Sequence, residues 1–225
     1  MKNPIIVALD VATAGEAWKL VEELGDAVGF YKVGMELYAA EGPGFVRELI
    51  ARGAQVFLDL KFYDIPETVK RATAQVAQMG VSLLTVHGSG AVMQAAVAGR
   101  GEARLRLLGV TVLTSFDESD LVDLGYPCRV EELVELRVRK AVEAGIDGLV
   151  CSPLEVGRVR QIAGARAVLV TPGVRSAGAG AGDQKRVATP REALEHGADY
   201  VVIGRQITRA AAPRQEALRI LEEIA

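Results

Sequence analysis

Short apolar runs alternate along the whole chain with longer stretches whose apolar residues recur every three or four positions. The runs read as strands at residues 5–9, 29–33, 55–60, 82–86, 107–113, 148–151, 167–171 and 200–203. The stretches between them read as helices. Thr13 followed by Glu16 has the spacing of a capping box and starts a helix through Trp18, Val21 and Leu24. Pro66 suits a first helical position, with Val69, Ala72, Val76 and Met79 on one face and Gly80 just beyond. Residues 131–143 close at Gly145 in the same way, and residues 213–224 form a last helix behind Pro213.

Eight strands alternating with helices predict parallel βαβ units. A closed (β/α)8 TIM barrel needs about 200–250 residues, and the chain has 225. A doubly wound open sheet is the alternative. It would normally carry a glycine-rich turn after its first strand, where this chain has Asp10-Val11-Ala12-Thr13. No linker or compositional break divides the sequence, so one barrel domain is expected over residues 1–225.

Composition narrows the class. A chain that is 50% hydrophobic and 24% charged has the material for a core and is not a disordered segment. A net charge of −3 argues against a nucleic-acid partner. Cys128 and Cys151 are too few for a disulfide framework or a cysteine-based zinc site. The first apolar run is interrupted at Asp10, too early for a signal peptide or a membrane span. A soluble, cytoplasmic protein with no membrane partner is the expectation.

In such a barrel chemistry sits at the carboxyl ends of the strands. Those ends hold Asp10, Lys32, Asp59 and Lys61, His87, Thr114, Pro172-Gly173-Val174-Arg175 and Gly204-Arg205. On the third strand, alternation puts Val56, Leu58 and Leu60 on the face toward the helices and Phe57, Asp59 and Lys61 on the inner face. Phe30 and Lys32 point inward by the same rule, and Asp64 follows in the turn before Pro66. Two lysines and two carboxylates could then alternate in one cluster. Charges buried in a barrel mouth are costly unless paired, so the cluster reads either as a salt-bridge network or as an active site. Gly204-Arg205 after the eighth strand has the placement of a phosphate site. The glycine- and alanine-rich residues 175–184 suit a mobile lid over an anionic ligand.

These residues together resemble a known family, the orotidine 5′-monophosphate decarboxylases, which complete pyrimidine nucleotide synthesis. The resemblance runs end to end. It rests on Ala8-Leu9-Asp10, Lys32, Asp59-Leu60-Lys61-Phe62-Tyr63-Asp64-Ile65-Pro66-Glu67-Thr68, Thr111-Val112-Leu113-Thr114-Ser115, Pro172-Gly173-Val174-Arg175, Gly182-Asp183-Gln184 and Ile203-Gly204-Arg205. It implies a (β/α)8 homodimer that converts orotidine 5′-monophosphate to uridine 5′-monophosphate and CO2 without metal or organic cofactor. Lys61 would donate the proton, with Lys32, Asp59 and Asp64 completing a charged array and Asp64 reaching across the dimer interface. Asp10 and Lys32 would bind the ribose, with Thr68 from the other subunit assisting. Thr114 would contact the pyrimidine, and Ile65 would belong to the substrate-binding set. Arg175, Gln184, Gly204 and Arg205 would hold the phosphate region. Ser176 departs from the proline common in bacterial members, which implies a looser base for the lid. Residues 87–90 are a variant strand-4 ending, and His87 receives no catalytic role.

Two other readings compete. A phosphosugar enzyme of the 3-keto-L-gulonate 6-phosphate decarboxylase or hexulose-phosphate synthase kind shares the Asp-x-Lys pair, needs magnesium and lacks the Asp64-Ile65-Pro66 continuation. A non-catalytic barrel that only captures a phosphorylated metabolite would have no use for both lysines and both aspartates. Cys151 has no base arranged to activate it and reads as structural.

Overall fold

All eight apolar runs form strands, and the strands close on one another. In the computed structural model, which describes residues 3–177, 186 and 188–225, the barrel order is the chain order, with β1 (Ile5–Ala8), β2 (Phe30–Gly34), β3 (Gln55–Phe62), β4 (Leu83–Val86), β5 (Arg106–Val110), β6 (Gly148–Val150), β7 (Val168–Thr171) and β8 (Tyr200–Ile203). Every neighbouring pair is parallel, including β8 with β1. The expected barrel is therefore the fold, and the open sheet is not.

Around it lie α1 (Ala14–Leu24), α2 (Met35–Ala51), α3 (Pro66–Ala77), α4 (Gly90–Arg100), α5 (Glu118–Asp123), α6 (Val130–Glu143), α7 (Val156–Ala163), α8 (Pro190–Glu195), α9 (Arg205–Thr208) and α10 (Pro213–Ile224). The capping box at Thr13 and Glu16 is present, and Pro66 and Pro213 both sit in first turns. α2 is broken at Gly42, whose φ of 63° lies outside the helical region, just before Pro43. Among the described residues no helix is long and apolar enough to cross a membrane.

Strand alternation divides the core in two. Ile6, Ala8, Phe30, Phe57, Leu83, Leu108, Val168, Val170, Tyr200 and Val202 form an inner cluster, with the Phe30 and Tyr200 rings edge to face at 5.4 Å. Their strand neighbours Ile5, Val7, Tyr31, Val33, Val56 and Leu58 join the larger cluster under the helices. The inward reading of Phe30 and Phe57 and the outward reading of Val56 and Leu58 both hold.

Two strand ends differ from expectation by more than one residue. β5 stops at Val110 rather than running to residue 113; the Thr111 N–H makes the last ladder bond to the Val150 carbonyl at 3.1 Å, and its hydroxyl donates to the same oxygen at 3.0 Å. Thr114 is thus a loop residue. β3 runs two residues further than alternation suggested, to Phe62, and gains that length through an irregular segment described below.

Candidate active site

The carboxyl ends of the strands surround a cavity of about 820 Å3. Asp10, Lys32, Asp59, Lys61, Thr114, Arg175, Gly204 and Arg205 all line it. Eight of the residues singled out in the sequence therefore share one space, although they come from six different strand ends.

One wall is a row of alternating charges. Lys32 Nζ donates to Asp10 Oδ1 at 2.7 Å and lies 3.9 Å from Asp59 Oδ2. Lys61 Nζ reaches both oxygens of the same Asp59 carboxylate at 3.0 Å. The row thus reads Asp10, Lys32, Asp59, Lys61, and each inner charge is flanked by two of opposite sign. Strand register builds it: Ala8 lies beside Lys32, and Gly34 beside Asp59. A Cβ at Gly34 would come within 2.9 Å of Asp10 Oδ1 and 3.0 Å of Lys32 Nζ, so a larger residue there would push these two side chains out of the row. The lysine is buried, so its charge depends on these partners rather than on water.

Lys61 does not sit on a regular strand. Between the pairs Leu58–Leu84 and Phe62–Val86, β3 has three residues where β4 has only Thr85. Lys61 takes up the slack with φ 49°, the one positive φ at a non-glycine residue among those described. A left-handed L-residue costs roughly 1–2 kcal/mol, and bulges of this kind re-aim side chains beside active sites. Thr85, fully buried, accepts the Lys61 N–H at 2.9 Å and donates to Asp59 Oδ1 at 2.9 Å. Sequence reading missed Thr85; its inward position on β4, two residues beyond the inward Leu83, was the available signal.

The arginines stand on the stretch of wall after β7 and β8, which closes onto β1. Gly204 caps the four-residue α9, which begins at Arg205, and Arg175 follows β7 with its N–H on the Ala188 carbonyl at 3.0 Å. Gln206 ties these two segments together: its Oε1 accepts the Ser176 N–H at 3.1 Å, and its Nε2 donates to Ser176 Oγ and to Glu216 Oε1, both at 2.9 Å. Arg219 donates to the same hydroxyl at 3.1 Å. Arg219 and Gln206 together hold the Glu216 carboxyl below the usual carboxylate range. Ser176 is buried and held by three hydrogen bonds, so the expectation of a looser loop base is overturned. A proline there would lack the N–H that Gln206 accepts. Below this wall Arg186 forms a buried ion pair with Glu155 and donates to the Leu113 carbonyl at 2.9 Å, bracing the loop that carries Thr114.

Three expected site residues lie elsewhere in the single chain. Asp64 is exposed and accepts the Ile65 N–H at 2.6 Å, Ile65 is itself exposed, and Thr68 is half-buried on α3. The second carboxylate of the intrachain array is therefore Asp10, because Asp64 falls after the strand has turned outward. Gln184, with the glycine-rich stretch read as a lid, lies outside the described residues. Among the described residues, no group of three or more His, Cys, Asp or Glu side chains is placed to hold a metal ion.

A family model described as orotidine 5′-phosphate decarboxylase / HUMPS matches residues 3–220. The chain belongs to that family. A curated orotidine 5′-phosphate decarboxylase from Nitrobacter winogradskyi is 50% identical over 224 residues, covering 100% of this chain and 93% of the relative. One from Rhodopseudomonas palustris is also 50% identical, covering 100% and 95%. The crystal structure of orotidine 5′-phosphate decarboxylase from Lactobacillus acidophilus superposes with a TM-score of 0.85 at 35% identity, over 99% of each chain. In this member of the orotidine 5′-phosphate decarboxylase / HUMPS family, burial shifts two further groups named in the sequence. Burial pushes the Cys151 thiol up to about 12, away from a reactive thiolate. Burial, aided by Arg137 and Lys61, pushes His87 down to about 4.

Proposed function

We propose that this chain decarboxylates orotidine 5′-monophosphate to uridine 5′-monophosphate, with Lys61 as the proton donor and without metal or organic cofactor. The observation that carries the reading is the unbroken Asp10–Lys32–Asp59–Lys61 row sharing one cavity with Arg175 and Arg205. Breaking the bond from C6 to the carboxylate releases CO2 and leaves its electron pair on C6, in the plane of the ring. The ring π-system stabilises that pair poorly, so the charge must be met from outside. A lysine ammonium is a compact charge that also supplies a proton. That proton passes from Nζ to C6, and the amine regains one from solvent.

Magnitudes show that the lysine alone is not enough. A unit-charge interaction at about 4 Å and an effective dielectric near 20 is on the order of 4 kcal/mol, whereas enzymes lower barriers by about 8–23 kcal/mol. The rest comes from fixed neighbours and from binding energy gathered away from the reacting carbon. Arg175 and Arg205 suit the phosphate, Gln184 joins them, Asp10 and Lys32 suit the ribose hydroxyls, and Thr114 the pyrimidine.

The reading carries with it a cytoplasmic homodimer in which Asp64, Ile65 and Thr68 of one subunit complete the site of the other. The exposure of Asp64 and Ile65 in the single chain, on the turn after β3, supports this arrangement. The test is turnover of orotidine 5′-monophosphate after exhaustive chelation. Full activity is expected; activity that returns only with magnesium would indicate phosphosugar-type chemistry instead. For the shared site, a Lys61→Ala chain mixed with an Asp64→Ala chain should regain part of the lost activity. No recovery in demonstrated heterodimers would refute the sharing.

A further inference from the structure

We propose that Thr85 is a positioning residue of this reaction, fixing the Lys61 backbone and the Asp59 carboxylate through a single hydroxyl. The inference rests on the decarboxylase reading and deepens it. Residues 59–61 stand opposite Thr85 alone, so the regular β3–β4 ladder is interrupted where the lysine needs support. Lys61 is left with a backbone N–H inside the barrel mouth and a left-handed φ of 49°. Thr85 Oγ1 takes that N–H at 2.9 Å, and its own hydrogen goes to Asp59 Oδ1 at 2.9 Å.

Asp59 in turn grips Lys61 Nζ at 3.0 Å. The three contacts close a ring that runs from the lysine backbone through the hydroxyl and the carboxylate back to the lysine amine. A hydroxyl suits the place because one atom both accepts and donates. Thr85 is fully buried, so bulk water has no access to take over either bond. Valine has nearly the same shape and can do neither, leaving a buried N–H without its acceptor. The residue touches no reacting atom; it acts by holding those that do.

The test compares Thr85→Val and Thr85→Ser with the unaltered protein, measuring orotidine 5′-monophosphate turnover and uridine 5′-monophosphate affinity. Thr85→Val should lose about 30- to 100-fold in kcat, with product affinity changed by less than about threefold. Thr85→Ser should stay within about threefold of the parent in both. If the valine variant does not fold, Thr85→Ala takes its place against serine. A folded valine or alanine variant with near-parental kcat overturns the proposal, as does a serine variant equally impaired. An unaltered protein that does not turn over the nucleotide refutes the decarboxylase reading itself; an active one with an indifferent Thr85 refutes only the positioning role.

Discussion

Along β1, β2 and β3 the mouth is lined by four charges that hold one another, each set by strand register and one by a bulge. After β7 and β8, Arg175 and Arg205 stand on a post-strand segment and a four-residue helix that meet through the Gln206 side chain. The first wall is assembled from backbone ladders and can be rigid before any ligand arrives. The second depends on side-chain bonds between segments distant in sequence. Reacting groups need placement to fractions of an ångström, whereas an anion can be gripped from several directions. Under the proposed reaction, proton transfer falls to the ladder-built side and the phosphate to the other.

Changes at the two walls should separate in the kinetics. Lys61→Ala should lower kcat by about 1,000-fold or more while leaving uridine 5′-monophosphate affinity nearly intact, as titration calorimetry would show. Equal losses in both would mean that the two walls are not distinct. Arg205→Ala should reduce kcat/KM by about 10- to 100-fold through lost charged hydrogen bonds. Near-normal efficiency would remove Arg205 from the phosphate site. Gln206→Leu keeps both arginines and breaks only their brace, so KM should rise about 3- to 10-fold with kcat unchanged.

The smallest effect concerns stability. His87 is held down at about 4 in the folded protein, first by burial and then by Arg137 and Lys61, against an ordinary value of 6.5. Between those values the unfolded chain binds a proton that the folded one does not, so stability is complete above pH 6.5 and declines as pH falls toward 4. Urea midpoints should drop over that window, and His87→Gln should flatten the drop by about 1–3 kcal/mol. An unchanged slope would show that His87 is not held neutral in the folded protein.

Much of this division was legible beforehand. Period-two alternation is a local property, so Phe57 and Val56 were placed on opposite faces correctly without knowledge of the rest of the barrel. Asp59 and Lys61 were also placed in the mouth, yet by a regular strand. The bulge escaped notice because the ladder opposite them, with Thr85 facing three residues, is a matter of pairing between strands. Asp10 joined to Lys32 was hidden for the same reason: it follows from the β1–β2 register, which no single segment encodes. Ser176 shows the converse error. Judged only as a missing proline it promised looseness, whereas its partner Gln206 lies thirty residues away and supplies the hold.

The central claim is that the Lys61 ammonium meets the carbon that loses its carboxyl group. A crystal structure of the protein with uridine 5′-monophosphate tests this most directly. The account predicts Lys61 Nζ about 3–3.5 Å from C6, still bonded to Asp59, with the phosphate between Arg175 and Arg205. A lysine turned away from C6, or a bound cation standing in its place, would contradict it.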